Sequence, residues 1–471
     1  MTIQTKLAGL GALSASLLAG LPALAQDGPI KNPTVEQMAT MVDKGDTTWM
    51  LVSSALVLMM AIPALALFYG GLVRTKNMLS LLMQVLVIVS IGAVMWIAVG
   101  YSLAFTSGSP YIGGLSKAML AGVGTGTYAA TFSNNVYIPE YAFVIFQMTF
   151  ACITPALIIG AFAERIKFWP LILFCVGWSL LAYYPIAHMV WYWAGPDFLA
   201  DLPGDYGLLW GWGALDFAGG TVVHINAGIA GLVGCIVVGK RIGHNKEPMP
   251  PHSLTLTMVG ASLLWVGWFG FNAGSNLESN GLTALAFLNT FVATAAATLS
   301  WVLVEQVRHG RPSLLGAVTG AVAGLVAITP AAGFASPGGA LVLGLIVSPI
   351  CYAFVSSVKK KFGYDDSLDV FGVHGVGGIV GAIGTGIVAN PSLGGQGWYD
   401  YTVFPAVPGT YDMGAQVFTQ LKAVCVTVIW TAVVSLVLFY LIKLVFGLRP
   451  SSDDERQGLD QTSHGESAYN Y

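Results

Sequence analysis

The chain has 471 residues, of which 55% are hydrophobic and only 9% are charged, and its mean hydropathy is +0.72. Soluble proteins carry roughly 25% charged residues, so this composition excludes an ordinary soluble domain and predicts an integral membrane protein with many spans. The net charge of -3 says little about partners, but the basic residues are scattered singly or in short loop clusters, which excludes an electrostatic footprint for nucleic acid. Glycine supplies 58 residues, well above the usual ~7%, and so allows transmembrane helices to approach closely.

The first 25 residues have the organisation of a cleaved signal peptide. Lys6 provides a positive charge, an apolar run extends from Leu7 to Leu21, and Ala23-Leu24-Ala25 fits a cleavage site. Cleavage would leave Gln26 as the first residue, on the outer side of the membrane. The alternative is an uncleaved first helix, but the apolar run is short for a membrane span.

Apolar stretches of membrane-spanning length follow one another along the rest of the chain. They predict an all-α integral membrane protein with about eleven transmembrane helices. Their approximate bounds are 48–72, 78–104, 139–163, 167–190, 217–239, 252–273, 281–304, 312–333, 337–357, 369–391 and 414–446. The last stretch is long enough to cross the bilayer at a strong tilt.

Basic residues are concentrated in the loops that follow the odd-numbered spans. They are Arg74, Lys76, Arg165, Lys167, Lys240, Arg241, Lys246, Arg308, Arg311, Lys359, Lys360, Lys361, Arg449 and Arg456. Lys117, in one of the alternate loops, is the clear exception. The positive-inside rule therefore predicts that the mature N-terminus lies outside and the C-terminus lies in the cytoplasm.

Two histidines lie within predicted spans and begin the same motif. His224 in the fifth span and His374 in the tenth each start a His-x3-Gly-x2-Gly-x2-Gly pattern. Because five spans form each half, the halves have opposite orientations, which is a transporter architecture with a site near the membrane midplane. Ile153-Thr154-Pro155 in the third span and Ile328-Thr329-Pro330 in the eighth support the same repeat.

An aspartate precedes each histidine by eight residues, Asp216 in the first half and Asp366 in the second. Eight helical residues rise about 12 Å, so helices that enter a ~30 Å core from opposite faces would bring the imidazoles together near its centre. The aspartates either cap their helices or attract a cation.

Ionisable groups at membrane depth usually mark a substrate or proton pathway, and two hydrogen-bonded imidazoles can pass a proton. The alternative is a pair that only stabilises the helix bundle.

A metal site would need three or four ligands, and no set of suitable spacing is visible. His188 lacks the glycine repeat and is interpreted as structural or entrance-lining. Five cysteines without C-x-x-C spacing are interpreted as small buried hydrophobes: Cys152, Cys175, Cys235, Cys351 and Cys425.

Two aromatic clusters are candidates for contacts with a substrate. Phe146 and Phe150 lie four residues apart and therefore share one helical face. Aromatic stripes in spans usually face lipid or pack against helices, and the functional alternative is a cation–π cage for a small ammonium-type ion, with Ser275 as an acceptor. The second cluster precedes Ser275 and consists of Trp265, Trp268, Phe269 and Phe271.

These segments resemble the Amt/Mep/Rh ammonium transporter family, and bacterial Amt proteins in particular. The resemblance covers nearly all of the mature chain, although the loop from Tyr192 to Gly213 is longer than the family pattern leads us to expect. The matching segments are Asp216–Gly228, Asp369–Gly375, Trp268–Ser275, Phe150–Thr154, Gly447–Arg449, Gly458–Asp460 and His464–Tyr469.

The resemblance implies roles for particular residues. Phe150, Trp191 and Ser275 would form an outer recruitment site for the ion, which Asp216 would stabilise. Phe150 and Phe271 would gate the pore, and His224 and His374 would be twin histidines that line it. The family also implies a homotrimer with one pore per subunit, without a cofactor.

The transport mechanism that this reading favours is recruitment of NH4+, loss of its proton, and passage of NH3 through an apolar pore. The histidine pair would carry the proton separately, so that transport is electrogenic. One alternative is a neutral gas channel of Rh type for ammonia or carbon dioxide. Another is an ammonium sensor, although sensors usually carry a fused signalling domain. An enzyme is not expected, because no nucleophile–base set is visible.

The predicted organisation is a signal peptide at 1–25, a membrane domain at 26–447 and a cytoplasmic regulatory tail at 448–471. The family implies a bacterial inner-membrane location and a PII-type (GlnK-like) signalling protein that binds this tail. The alternative for the tail is an ordinary solvated terminus, which its polar residues from Ser451 to Glu455 would also suit. The basic residues Lys359 to Lys361 could support the partner electrostatically.

Overall fold

The computed structural model describes residues 28–469, and the predicted signal peptide lies outside them. Eleven helices in that range are long and apolar enough to cross a membrane, as the sequence predicts. We number them as spans one to eleven: Lys44–Leu72, Thr75–Phe105, Glu140–Phe162, Phe168–Trp191, Gly220–Val238, Leu254–Gly274, Gly281–His309, Leu314–Ala331, Pro337–Phe362, Phe371–Val388 and Met413–Phe446. The last span has 34 residues and is about 51 Å long, which exceeds a ~30 Å hydrocarbon core and requires a tilt.

Short elements lie in the loops between the spans. Three antiparallel hairpins pair Gly108–Ser109 with Ile112–Gly113, Tyr128–Ala130 with Tyr137–Pro139, and Tyr399–Asp400 with Val407–Pro408. The short helices are Val35–Thr40, Ala118–Leu120, Leu199–Asp201, Leu208–Gly211, Pro391–Leu393, Ser452–Gln457 and Asp460–His464. The hairpins are a small addition to the all-α prediction, and they leave the membrane domain helical.

Polar side chains cap the starts of several spans. Each accepts a hydrogen bond from a backbone N–H in the first helical turn, where no intrahelical acceptor exists. These caps fix where the apolar helices begin. They are Asp43 for span one, Ser253 for span six, Asn280 for span seven, Ser313 for span eight, Ser336 for span nine and Asp412 for span eleven.

The two five-helix halves are inverted relative to each other and meet at spans five and ten. Spans three, five, eight and ten are largely buried, whereas spans two, nine and eleven expose most of their surface. We call the face with the loops after the even-numbered spans the outer face, following the orientation predicted from sequence. The exposed spans present apolar side chains such as Leu341 in span nine and Leu444 in span eleven, which suit a lipid environment.

Spans five and ten begin with the same distorted turn. A π-helical turn covers Gly220–Ile225 in one and Phe371–Gly375 in the other, and each contains one of the two repeated histidines, His224 or His374. Such turns insert an extra residue into a helix and are frequent at functional sites. The sequence repeat therefore extends to the local backbone.

The aspartates before spans five and ten cap these helices. The Asp216 carboxylate accepts four backbone N–H bonds, from residues 219 to 222, at 2.6–3.1 Å. Asp366 accepts three, from residues 370 to 372, at 2.8–3.4 Å. Burial raises the pKa of Asp216, and its four N–H donors oppose that increase. Capping is thus the geometry that both aspartates adopt.

The glycines of the repeated motif allow spans five and ten to cross at backbone contact. A Cβ atom at Gly228 would overlap the backbone nitrogen of Gly375. In the opposite half, a Cβ atom at Gly378 would lie 3.0 Å from the carbonyl oxygen of Gly220. Small residues at such crossings permit close helix packing, which here keeps the two histidines within reach of each other.

A buried ionic cluster joins the loops after the odd-numbered spans, on the face opposite the outer face. Arg241 donates to Asp365 from Nε at 3.0 Å and from Nη2 at 2.8 Å, and Arg74 lies 2.7 Å from Glu164. Arg165 donates to the carbonyl oxygen of Asp365. Burial alone would raise the pKa values of Glu164 and Asp365, but the facing arginines outweigh it and lower both.

The C-terminal tail is docked on the membrane domain through residue 469. Asp460 accepts the N–H groups of Leu79 and Ser80 at 3.0 and 2.7 Å, at the start of span two. The backbone N–H of Lys167 donates to Leu448 at 2.8 Å, and Arg449 pairs with Glu455 at 2.6 Å. These contacts differ from a freely solvated terminus.

Candidate functional site

A cavity of about 1080 Å³ opens at the outer face. Its wall includes Phe150, Trp191, Ser275 and Asp216. These four residues come from spans three and four and from the segments beside spans five and six. The structure thus brings together the residues that the family resemblance assigns to recruitment.

The rings at the bottom of this outer cavity have fixed geometry. The Phe150 and Trp191 rings meet edge to face, with centroids 5.8 Å apart. Phe146 packs on Phe150 at 5.0 Å but is not among the described residues that line this cavity. The indole N–H of Trp191 donates to the carbonyl oxygen of Asp216 at 3.0 Å. The Ser275 hydroxyl donates to the Phe271 carbonyl oxygen at 2.8 Å, which leaves the Ser275 oxygen able to accept from a ligand.

Phe150 and Phe271 separate the outer cavity from the histidines. Their ring centroids lie 4.3 Å apart, and each side chain is only 1% exposed. Phe150 lines the outer cavity, whereas Phe271 lines a second cavity below it. The two rings are therefore in contact with each other between the outer cavity and the second cavity.

The histidines meet directly beneath the phenylalanine pair. His224 Nδ1 and His374 Nδ1 lie 3.2 Å apart, and the side chains are 1% and 4% exposed. Within the part of the chain that the structure describes, His224 Nε2 has no hydrogen-bond partner. The cavity beside them has about 10 Å³, close to the space of a single water, and its other walls are apolar, including Leu157, Leu264 and Val322.

Trp268 belongs to this inner cavity and not to the outer one. Its ring stacks on His224 with centroids 5.3 Å apart, and its indole N–H donates to Thr329 at 2.9 Å. Trp265 packs on Phe291. The second aromatic cluster therefore does not converge into a cage, because successive residues of a helix point about 100° apart.

Sequence reasoning missed polar groups on the wall of the outer cavity. Gln147 lies there, and among residues 28–469 its Oε1 atom has no hydrogen-bond partner. Lys117 and Glu140 form an ion pair on the same wall, and Tyr101 donates to Glu140 at 2.7 Å. Gln147 could have been found as a polar residue between Phe146 and Phe150, whereas the partner of Lys117 could not.

The long loop from Tyr192 to Gly213 forms part of the outer wall. Trp193 stacks between Phe132 and Trp210, with ring centroids 6.0 and 5.4 Å away. Tyr401, from another outer loop, lies 4.6 Å from Trp193. This aromatic column connects three separate loops around the cavity.

The fold and the site define a polytopic membrane protein in which two inverted halves enclose a buried pair of histidines. No group of three or more His, Cys, Asp or Glu side chains within residues 28–469 could hold a metal ion. The sequence model of the Ammonium Transporter Family matches residues 48–469, and the chain belongs to that family.

Named relatives and solved structures agree with this assignment. The ammonium transporter of Bacillus subtilis is 45% identical over 427 residues, which cover 90% of this chain and 98% of that protein. That of Aquifex aeolicus is 45% identical over 430 residues, covering 91% and 94%. The crystal structure of Saccharomyces cerevisiae Mep2 matches with a TM-score of 0.76 and 32% identity, covering 88% and 89%. A sensor Amt protein matches with a TM-score of 0.78 and 26% identity, covering 91% and 99%.

Proposed function

We propose that this protein transports ammonium by recruiting NH4+ in the outer cavity, removing its proton and conducting NH3 past the two histidines. The proton crosses separately, so that transport is electrogenic. The observation that carries the proposal is the direct contact of His224 and His374 in a narrow apolar cavity closed by two phenylalanine rings.

Recruitment rests on the composition of the outer wall. The π faces of Phe150 and Trp191 attract a cation, and the Ser275 oxygen accepts one of its N–H bonds. Among the described residues of the wall, one lysine faces five carboxylates, so the cavity favours positive charge. The carboxylates are Glu140, Asp205, Asp216, Asp400 and Asp412.

Proton removal is required by the physics of the inner cavity. A bare ammonium ion in apolar surroundings would cost tens of kcal/mol by Born estimates. A cavity of about 10 Å³ has no room for a hydrated ion. Neutral ammonia avoids both penalties, and potassium, which has no proton to lose, is rejected at the same point.

The histidine pair supplies a route for the proton. One ring donates from Nδ1 and the other accepts, so a proton can move between the imidazoles by exchange of tautomers. The free Nε2 of His224 is available to receive a proton. The stacked Trp268, held by Thr329, fixes the plane of the His224 ring.

Electrical recording on reconstituted full-length protein tests this proposal. We expect an ammonium-dependent current and no current with potassium at equal concentration. Ammonia flux without current would instead identify a neutral channel of Rh type. Ammonium binding without flux would identify a sensor, the second candidate, which the match to a sensor Amt protein favours.

The proposal includes the setting of the protein. It acts as a homotrimer in a bacterial inner membrane, after removal of residues 1–25, with its mature N-terminus outside and its C-terminus in the cytoplasm. A PII-type protein binds the cytoplasmic face and uses the tail as its dock. The docked position of residues 448–469 at the starts of spans two and four supports this role.

A further inference from the structure

His188 occupies an unusual position in the last turn of span four. Its side chain is fully buried, with 0% exposure, and it lies three residues before Trp191. Its Nδ1 atom is 3.0 Å from the carbonyl oxygen of Ala104, and its Nε2 atom is 2.9 Å from that of Ser109. Both ring nitrogens therefore face groups that can only accept a hydrogen bond.

A neutral imidazole cannot satisfy both contacts. It carries one N–H, so its other nitrogen would turn a lone pair toward a carbonyl oxygen at hydrogen-bond distance. Neither distance leaves space for an intervening water molecule. The imidazolium form donates to both oxygens and removes this conflict.

The surroundings of the ring also suit a cation. The Tyr192 ring stacks on His188 with centroids 4.6 Å apart and an interplanar angle of 13°, within the range of a cation–π contact. The Tyr192 hydroxyl donates to Asp205 at 2.9 Å, and Ser107 donates to the same carboxylate at 2.9 Å. A negative charge thus lies beyond the stacked ring.

Other elements pack against this turn without adding a charged side chain. The strand Ile112–Gly113 and the helix Leu208–Gly211 contain no titratable residue. The remaining titratable groups on the packed elements are Tyr101 at the end of span two, Tyr183 and Tyr184 in span four and His224 at the start of span five. Asp205 is therefore the charge that faces His188 from the neighbouring loop.

We propose that His188 is a positioning residue that works as a buried imidazolium. It joins the hairpin after span two to the end of span four, and it thereby holds Trp191 and the loop from Tyr192 to Gly213 in place. The inference rests on the proposed recruitment role of Trp191.

The backbone connects the His188 contacts to the outer wall. Gly207 donates to the Tyr192 carbonyl oxygen at 2.9 Å, and Leu208 donates to that of Pro110 at 2.8 Å. A Cβ atom at Gly207 would overlap the carbonyl oxygen of His188, so the loop lies directly on this turn. Loss of the His188 proton would break one of its two hydrogen bonds, to Ala104 in span two or to Ser109 in the hairpin, and so loosen the loop beside Trp191.

The direction of the pH effect follows from the protonation state of His188 that can donate to both carbonyl oxygens. The charged His188 ring makes both hydrogen bonds. It therefore holds the loop beside Trp191 in place at low pH, and this hold is lost as pH rises. Because the outer site would loosen while the pore stays intact, the half-saturating ammonium concentration should rise and the maximal flux should stay constant.

Nitrogen NMR of the histidine-labelled full chain in lipid vesicles tests the protonation state directly. At about pH 6, just below the usual imidazole value of ~6.5, we expect both His188 nitrogens to carry a proton. His252 is an internal control, since its ring lies 3.0 Å from the Val73 carbonyl oxygen and 3.3 Å from the Tyr469 hydroxyl, which a neutral ring satisfies. The His188 signal is assigned through its contact with the Tyr192 ring, so no variant has to fold. A neutral His188 at this pH would overturn the inference.

Transport measurements complete the test, with the NH4+ concentration held equal at every pH. We expect the half-saturating concentration of the wild type to rise about threefold to tenfold with pH, as the loss of one charge-assisted bond implies. His188→Gln should start at the raised value and lose the pH dependence. Equal profiles for the two proteins would contradict the positioning role. An unchanged half-saturating ammonium concentration in Trp191→Leu would instead contradict the recruitment proposal, while the protonation state of His188 measured by NMR would not be affected.

Discussion

Gly219 and Asp369 occupy equivalent places in the two inverted halves: each lies five residues before the repeated histidine, His224 or His374, and has a positive φ. The angles are 109° for Gly219 and 58° for Asp369. Glycine adopts this conformation freely, and aspartate tolerates it better than most residues do. The shared turn explains how the same capped helix start forms in both halves and brings His224 and His374 into contact.

Replacement of either pore histidine by aspartate should change ion selectivity. We expect His224→Asp and His374→Asp to conduct potassium, because a carboxylate hydrates the narrow cavity and stabilises intact cations. The measurement is current in potassium alone, and His252→Asp, outside the spans, is the control. A folded variant that still passes only ammonium current would count against the proton route.

The outer site should weaken when its acceptor or its π face is removed. We expect Ser275→Ala to raise the half-saturating ammonium concentration by about tenfold to a hundredfold, since a hydrogen bond to a charged group contributes about 1.5–3 kcal/mol. Trp191→Leu should raise it about threefold to tenfold through loss of a cation–π contact. Trp169→Leu is the matched control, because that ring is 70% exposed and lies at the start of span four. Unchanged values in both test variants would reject recruitment at this site.

Close packing of spans five and ten makes a single methyl group costly. Gly228→Ala should destabilise the protein by about 1–3 kcal/mol or more, because the new Cβ meets the Gly375 backbone, which cannot move like a flexible side chain. Gly281→Ala is the matched control, since a Cβ there would meet nothing within 4 Å. Thermal unfolding in detergent measures the difference. Equal unfolding midpoints for the two variants would show that spans five and ten are not in backbone contact at Gly228.

The buried ionic cluster of Arg241, Asp365, Arg74 and Glu164 should make the stability of the protein decrease in acid. The pKa values of Glu164 and Asp365 are lower in the folded protein than in the unfolded chain. Their contribution to the free energy of unfolding is therefore complete above the unfolded pKa values of about 4, and it is lost as the pH falls below those values. We expect Arg241→Gln to lose about 3–5 kcal/mol at neutral pH, because it leaves buried carboxylates without their partner.

The control for this cluster is Lys31→Gln, which removes the partner of Asp201 in an exposed pair that contributes at most about 1 kcal/mol. Unfolding measured from neutral to acid pH distinguishes the variants. A wild-type unfolding free energy that stays flat below about pH 4 would contradict the cluster's assignment.

The tail should be required for binding of a PII-type protein. We expect full-length chain to retain a cognate PII protein in a pull-down and a chain stopped after Leu448 to lose it. Asp460→Asn keeps the tail but weakens its bonds to Leu79 and Ser80, so it tests whether the docked position matters. Equal binding by the full-length and shortened chains would show that the dock lies elsewhere.

The sequence alone determined the parts of this protein that depend on local pattern. Each span is predicted by about twenty consecutive, mostly apolar residues. Inside the bilayer the backbone N–H and C=O groups must be hydrogen-bonded within the helix, wherever the helix lies in the protein. The repeated motifs around His224 and His374 predicted the inverted halves and the approach of the two rings, and family resemblance pointed to Phe150, Trp191 and Ser275. These predictions depend only on the types of the residues and on their order along the chain.

Tertiary structure decided the relationships between residues that are distant in sequence. The separation of 3.2 Å between the two imidazoles, the stacking of Trp268 on His224 and the pairing of Lys117 with Glu140 depend on how helices rotate and cross. His188 is the sharpest case: its charge state follows from two carbonyl oxygens on another span and hairpin. A hydrogen bond depends on tenths of an ångström and on the direction of its donor, and a pattern of residue types specifies neither.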